Sequence, residues 1–180
     1  MAQEIETKVL EVNKRKIVQK LISFGAQKKQ ESLLIVDWYR LRGITEGNDP
    51  WFLRIRSDSE GKHETTWKAK STILGTARKH KEINFHIHEH EKLADLFLEI
   101  GLEKYAHQEK ERTSFKFMDW SFDIDQYPGM PAFIEIEGNS EEHVNQAIRL
   151  LGLEGNTTWA NGERILIQDK YGLDWYEMRF

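Results

Sequence analysis

Cysteine is absent from the 180 residues, which excludes disulfides, thiolate metal sites and cysteine nucleophiles and agrees with a reducing compartment. Long apolar runs are missing too. No segment is long and apolar enough to span a bilayer, and the first residues lack the apolar stretch of a signal peptide, so a soluble cytoplasmic protein is expected. No Pro/Gly/Ser-rich linker or low-complexity tract divides the chain, and one domain over 1–180 is expected. Positive charge is not in excess. At a net charge of −4, the whole-molecule field does not attract a polynucleotide backbone, and neither nucleic acid nor membrane is expected as a partner. A homodimer stays open.

What the chain does have is charge in a particular order. Residues 4–8, Glu-Ile-Glu-Thr-Lys, alternate at period two, so Glu4, Glu6 and Lys8 fall on one face of a strand. Hard divalent cations take carboxylate oxygens and phosphates take Lys or Arg, so this face can address both halves of a metal–polyphosphate complex. Elsewhere the pattern predicts a helix over 13–25, capped by Asn13, and strands over 31–42 and 51–57. A turn at 58–62 leads to a returning strand over 63–70, and another strand covers 78–88. A helix over 89–101 precedes strands at 102–117, 120–127 and 132–138. Ser140 then caps a helix that ends at Gly152. A further helix is expected near 165–167. Many antiparallel strands with few helices predict an α+β domain whose sheet curls or closes.

By the same parity Arg54 and Arg56 share a face, as do Lys68 and Lys70, Lys110 and Arg112, Asp123 and Asp125, and Glu135 and Glu137. Acidic and basic pairs are segregated by strand, whereas a merely solvated surface intersperses its signs. The opposite faces, with Leu53, Ile55, Trp67, Ile83, Phe85, Phe122, Ile124, Ile134 and Ile136, are apolar. A closed sheet with helices outside would turn the charged face inward. There, clustered charges are costly until a polyanion and divalent cations neutralise them. His86 and His88 also share a face, but their spacing matches no zinc signature. Trp38, Tyr39, Trp120, Trp159 and Trp175 could stack on a planar ring of a ligand, although core packing is the ordinary reading of each.

Residues 4–8 resemble the ExExK signature of the CYTH superfamily, the triphosphate tunnel metalloenzymes. This superfamily takes in class IV adenylyl cyclases, thiamine triphosphatases and inorganic tripolyphosphatases. The resemblance continues through Leu53-Arg54-Ile55-Arg56, Trp67-Lys68, Lys81-Glu82, Lys110-Glu111-Arg112 and the segment 133–137, Phe-Ile-Glu-Ile-Glu. It implies a closed eight-stranded antiparallel β-barrel forming a tunnel, with helices packed outside. It also implies Mg²⁺ or Mn²⁺ held by Glu4, Glu6, Glu135, Glu137 and either Asp123 or Asp125. Lys8, Arg54, Arg56, Lys68, Lys110 and Arg112 would cradle the triphosphate of a small molecule, with Lys70 an additional candidate. Lys170 or Arg164 from the tail is a candidate to reach into one mouth. Metal-dependent hydrolysis of a triphosphate is the expected activity, with Glu4, Glu6, Lys8 and Glu82 in the catalytic set and Glu82 orienting water. An adenylyl cyclase is the second reading, and a non-catalytic polyphosphate or nucleotide binder the third.

Overall fold

In the computed structural model, residues 3–45 and 47–180 are described, without the side chains of Gln3 and Glu4. Strand β1 (Gln3–Val9) is followed by helix α1 (Lys14–Ser23), then β2 (Gln27–Leu41), β3 (Trp51–Asp58), β4 (His63–Ala69), β5 (Thr72–Leu74) and β6 (Ala77–Ile87). Helix α2 (His90–Glu99) leads into β7 (Leu102–Phe117), β8 (Trp120–Gln126), β9 (Phe133–Gly138) and helix α3 (Glu141–Leu151). The tail carries β10 (Thr158–Trp159), a short helix α4 (Glu163–Ile165) running into a π-helical turn (Leu166–Lys170), and β11 (Glu177–Met178).

Pairing runs β1-β9-β8-β7-β2-β3-β4-β6, and β6 pairs back onto β1, so eight antiparallel strands close a ring. Closure removes the free edges that an open sheet of this size would expose. The expected α+β fold with a closed eight-stranded antiparallel sheet is present. Directly opposed residues of an antiparallel pair point to the same face. The registers Glu6↔Glu137 and Lys8↔Glu135, Glu6↔Arg78, Lys68↔Glu82 and Arg112↔Asp125 therefore carry the charged face around the ring.

Outside, α1 and α3 bury Ile17, Leu21, Val144, Ala147, Ile148 and Leu151 against Val9, Phe122, Ile124, Ile134 and Ile136. The caps read from the sequence set the helix limits. The Asn13 side chain accepts from Lys16 N and that of Ser140 from His143 N, while Gly152 ends α3 in the left-handed region at φ 63°. Lys14 of α1 also meets Glu111 at 2.8 Å, which shows that Glu111 points away from its neighbours Lys110 and Arg112. Helix α2 covers a smaller cluster with Tyr39, Ile55, Phe97 and Leu102.

The helical cover is incomplete. Ile83 and Phe85 on β6 are exposed, although their alternation matches strands whose apolar residues are buried. The single tail helix expected near 165–167 is instead the short α4 and its π turn, flanked by β10 and β11. Leu166, Ile167, Trp175 and Met178 from this tail pack with Leu34, Val36 and Trp38 of β2. Val36 and Trp38 oppose Arg56 and Arg54, so the tail fills one side of the inward face with apolar contacts. Among the described residues no helix is long and apolar enough to cross a membrane.

Candidate active site

A cavity of about 370 Å³ opens within the ring. Its wall takes Glu6 from β1, Arg54 and Arg56 from β3, Lys68 from β4, Glu82 from β6, Arg112 from β7, Asp123 from β8, and Glu135 and Glu137 from β9. Seven strands thus deliver the residues singled out by parity to one space. Lys70 departs from this set: it lies one residue past the end of β4, where the alternation stops, and is exposed. The side chain of Glu4 lies outside the described residues, although its backbone pairs with His80 in register with the rest of β1.

Lys8, Lys110 and Asp125 are fully buried rather than set on the cavity wall. Lys8 donates to Glu135 at 2.8 Å. Lys110 donates to Asp125 at 2.8 Å and to Glu163 at 3.0 Å. Arg112 takes both oxygens of Asp125, at 2.6 and 2.5 Å, and reaches Asp123 at 2.6 Å. Two carboxylates so close to one guanidinium divide the work. Asp125 anchors two cations inside the wall, and Asp123, partly exposed and also accepting from Ser114 Oγ at 2.5 Å, faces the cavity.

Three wall residues carry no signal strong enough to single them out in the sequence. Arg78 pairs with Glu6 and, at 3.4 Å, with Glu135; it shares parity with Glu82, but the surrounding run Arg78-Lys79-His80-Lys81 hides the alternation. Glu64 pairs with Arg56 at 2.7 Å and sits in a threonine-rich strand. Glu163 comes from the tail, which has no strand period; it accepts from Lys110 and, at 2.6 Å, from Tyr127. Of the two tail cations considered, Arg164 lines the cavity, while Lys170 pairs with Glu11 at 3.2 Å.

The β3 side of the wall favours an anion. Burial lowers the Arg56 guanidinium to about 10, with Arg54 and Arg112 adding like-charge repulsion that Glu64 and Asp123 offset only in part. Arg54 is buried and forms no ion pair among the described residues, and its Nε has no hydrogen-bond partner. Its guanidinium instead lies 5.6 Å from the centre of the Trp38 ring. An unpaired buried guanidinium is expensive, and a phosphate oxygen would satisfy it.

The carboxylates are held ionised. Burial alone would raise Glu82, but His80, Lys68 and Arg54 bring it below its ordinary range. Burial is likewise outweighed at Glu135 by Lys8, Arg78 and Arg112, and at Glu163 by Lys110 and Lys8. These three groups bind fewer protons in the folded chain than in the unfolded one. Their contribution to stability is whole above the ordinary carboxylate value of 4.5 and is lost as pH falls below it toward their depressed values. Thermal denaturation from pH 7 to pH 3 is expected to show a flat Tm down to about pH 5 and a steady fall below. Glu163→Gln should make that fall shallower.

The donor set suits a hard cation. Asp125, Glu135 and Glu163 each offer an oxygen within 4.8 Å of the others, but Lys110, Arg112 and Lys8 already neutralise that group. Glu6, Asp123, Glu135 and Glu137 lie on the cavity wall, where a ligand can reach them, although Arg78, Arg112 and Lys8 likewise pair with Glu6, Asp123 and Glu135. All-oxygen coordination of this kind fits Mg²⁺ or Mn²⁺.

No protein-family model matches the chain. A Methanocaldococcus jannaschii protein provisionally named an adenylate cyclase is 29% identical over 154 residues, which span 82% of this chain and 83% of that protein. Among solved structures, a Vibrio parahaemolyticus protein provisionally named an adenylate cyclase superposes with a TM-score of 0.77 at 12% identity, over 92% of this chain and 97% of that one. A Hippeastrum protein, provisionally named an adenylyl cyclase and described as having a dominant triphosphatase activity, superposes at 0.66 and 13% identity, over 99% of this chain and 100% of that one. Together with the closed ring, these likenesses show that the chain shares the fold of these proteins, the fold that the motif resemblance to the CYTH superfamily implies.

Proposed function

We propose that this chain is an enzyme that binds a triphosphate inside the ring and hydrolyses it with a divalent cation. The observation that carries the reading is the cavity wall itself, where the unpaired Arg54 and the charge-crowded Arg56 stand across from the carboxylates of β1, β8 and β9. A polyanion alone would satisfy the guanidiniums of β3 and draw Arg78 and Arg112 away from the carboxylates they now neutralise. A polyanion with a cation satisfies both. Glu6, Asp123, Glu135 and Glu137 would hold Mg²⁺ or Mn²⁺, and Glu4 joins them on the strength of the motif. Such an ion, when bound, polarises phosphate oxygens and lowers the pKa of a bound water.

The chain's own residues do the rest. Arg54, Arg56 and Lys68 take phosphate oxygens and hold the terminal phosphorus in line for attack. Glu82 is too acidic to draw a proton efficiently near neutral pH, and its role is to orient the attacking water through a hydrogen bond. The water oxygen bonds to the terminal phosphorus, the bond from that phosphorus to the bridging oxygen breaks, the water's proton passes to a non-bridging oxygen of the orthophosphate formed, and the negative charge left on the bridging oxygen falls beside Arg54 and Arg56. Lys8 and Lys110 support this wall from behind by fixing Glu135 and Asp125.

Arg54→Met is expected to weaken triphosphate binding by roughly ten- to a hundredfold, the worth of about 1.5–3 kcal/mol in charge-assisted hydrogen bonds. The fold should be retained, because no ion pair is broken among the described residues. Calorimetric titration against tripolyphosphate and a Tm measurement check both halves. To test the reading itself, purified protein is incubated with tripolyphosphate in Mg²⁺ and in Mn²⁺, with and without a chelator. Orthophosphate released only with the metal supports it, and binding without turnover points to the non-catalytic reading. A cyclase remains the second reading, favoured by the aromatic side chains Trp38, Tyr105 and Trp175 on the same cavity wall and by the names of the relatives.

A further inference from the structure

Arg78 stands where the metal-binding and phosphate-binding sides of the cavity meet. It is the second residue of β6 and lies opposite Glu6 of β1, at the seam that closes the ring. Opposed residues share a face, so its side chain points inward, and it lines the cavity. Its guanidinium holds Glu6, with Nε 2.5 Å from Oε1, and reaches Glu135 at 3.4 Å. Among the described residues these two are its ion-pair partners, and both are carboxylates assigned above to the divalent cation.

The other cations of the wall are placed differently. Arg112 is fixed by both oxygens of Asp125, and Lys8 meets Glu135 from a fully buried position behind the cavity wall. Arg56 pairs with Glu64, outside the metal set. Arg78 combines two properties: it can reach a ligand in the cavity, and its ion pairs occupy oxygens that a cation needs. A guanidinium cannot make way by losing its proton, because it stays charged at any ordinary pH. It has to move, since like charges sharing the same carboxylates repel each other. Once moved, it is a buried cation without an anion, which is costly. A phosphate oxygen in the cavity removes that cost, and the planar fork of arginine fits two oxygens of one phosphate. The opposite order leads to the same state. A phosphate that draws Arg78 away leaves Glu6 and Glu135 ionised and open to a cation.

We infer that Arg78 is an exchange residue, which neutralises Glu6 and Glu135 until a divalent cation takes them and then turns to the triphosphate. Metal and triphosphate thereby raise each other's affinity by the same factor. This inference rests on the triphosphate reading above and deepens it, adding a coupling between the two ligands of the site.

The test is Arg78→Met. Binding of Mn²⁺ alone is followed by electron paramagnetic resonance, and binding of the non-hydrolysable imido analogue of tripolyphosphate at saturating Mn²⁺ by calorimetry. With the competing charge gone, Mn²⁺ alone should bind roughly tenfold more tightly than to the unaltered chain, and the metal-loaded analogue roughly tenfold more weakly. Opposite signs are the signature, because a residue that only serves the phosphate leaves Mn²⁺ binding unchanged. Unchanged or weaker Mn²⁺ binding in a variant that keeps its Tm would overturn the inference. A second measurement uses the unaltered chain. The ¹⁵N resonance of Arg78 Nε, identified by its absence from Arg78→Lys, should shift when Mg²⁺ is added and shift again with the analogue. A resonance indifferent to saturating Mg²⁺ would overturn the inference whatever the stability of the methionine variant, and would leave the triphosphate reading standing. An unaltered chain that binds neither Mn²⁺ nor the analogue would overturn both.

Discussion

Asp125→Ala is expected to destabilise the fold by about 3–5 kcal/mol, the usual cost of removing one partner from a buried ion pair. The Asp125 side chain is 0% exposed and holds Lys110, itself 1% exposed, together with both arms of Arg112. Its loss would leave two buried cations short of an anion, with Glu163 still on Lys110, and Asp123 and, at 3.7 Å, Glu135 still on Arg112. Against a total stability of about 5–15 kcal/mol for a domain, that is a large share. Asp123→Ala is the comparison, because Asp123 is 28% exposed and water can take over its hydrogen bonds. The urea midpoint should drop far for the first variant and little for the second. Equal drops would mean that Asp125 is not the anchor of the wall.

The Glu6→Gln, Glu137→Gln double variant is expected to fold and to lose turnover by roughly three orders of magnitude. Metal-assisted charge stabilisation is worth several kcal/mol, and about 1.4 kcal/mol corresponds to a factor of ten in rate. The fold survives because Arg78, which loses Glu6, keeps Glu135. The loss should appear in kcat at saturating triphosphate and should be accompanied by weaker Mn²⁺ binding. Full activity in this variant would remove the metal role assigned to β1 and β9.

How much of this was legible in the sequence depends on where each residue sits. Period-two alternation exposed the charged face of β1, β3, β7, β8 and β9 because each strand has one face on the cavity and the other beneath a helix. Ile83 and Phe85 broke the second half of that rule, since among the described residues no helix covers them and both are exposed. Parity put Lys110 and Asp125 on the correct face, yet it could not tell a residue lining the cavity from one buried behind the wall. Depth along the strand decides that, through Arg112 and the incoming tail. Arg78 was readable in principle from its parity with Glu82, but outward-facing Lys79 and Lys81 masked it.

Glu163 and Asp49 left no such trace. Both lie outside the strands of the ring, and chain direction alone brings them to the cavity. The tail was the least legible segment because it packs on the inside of the ring, where its apolar residues follow the shape of β2 rather than a helical stripe of their own. That same packing supplies Trp175, which in the sequence looks like any core tryptophan.

Turnover in water enriched with ¹⁸O tests the proposed chemistry most directly. Purified protein, Mg²⁺ or Mn²⁺ and ATP are combined, and the products are weighed by mass spectrometry. Attack by water on the terminal phosphorus should yield orthophosphate carrying one ¹⁸O atom, with ADP unlabelled. Unlabelled pyrophosphate with a cyclic nucleotide, or triphosphate left intact at saturating metal, would contradict hydrolysis in the ring.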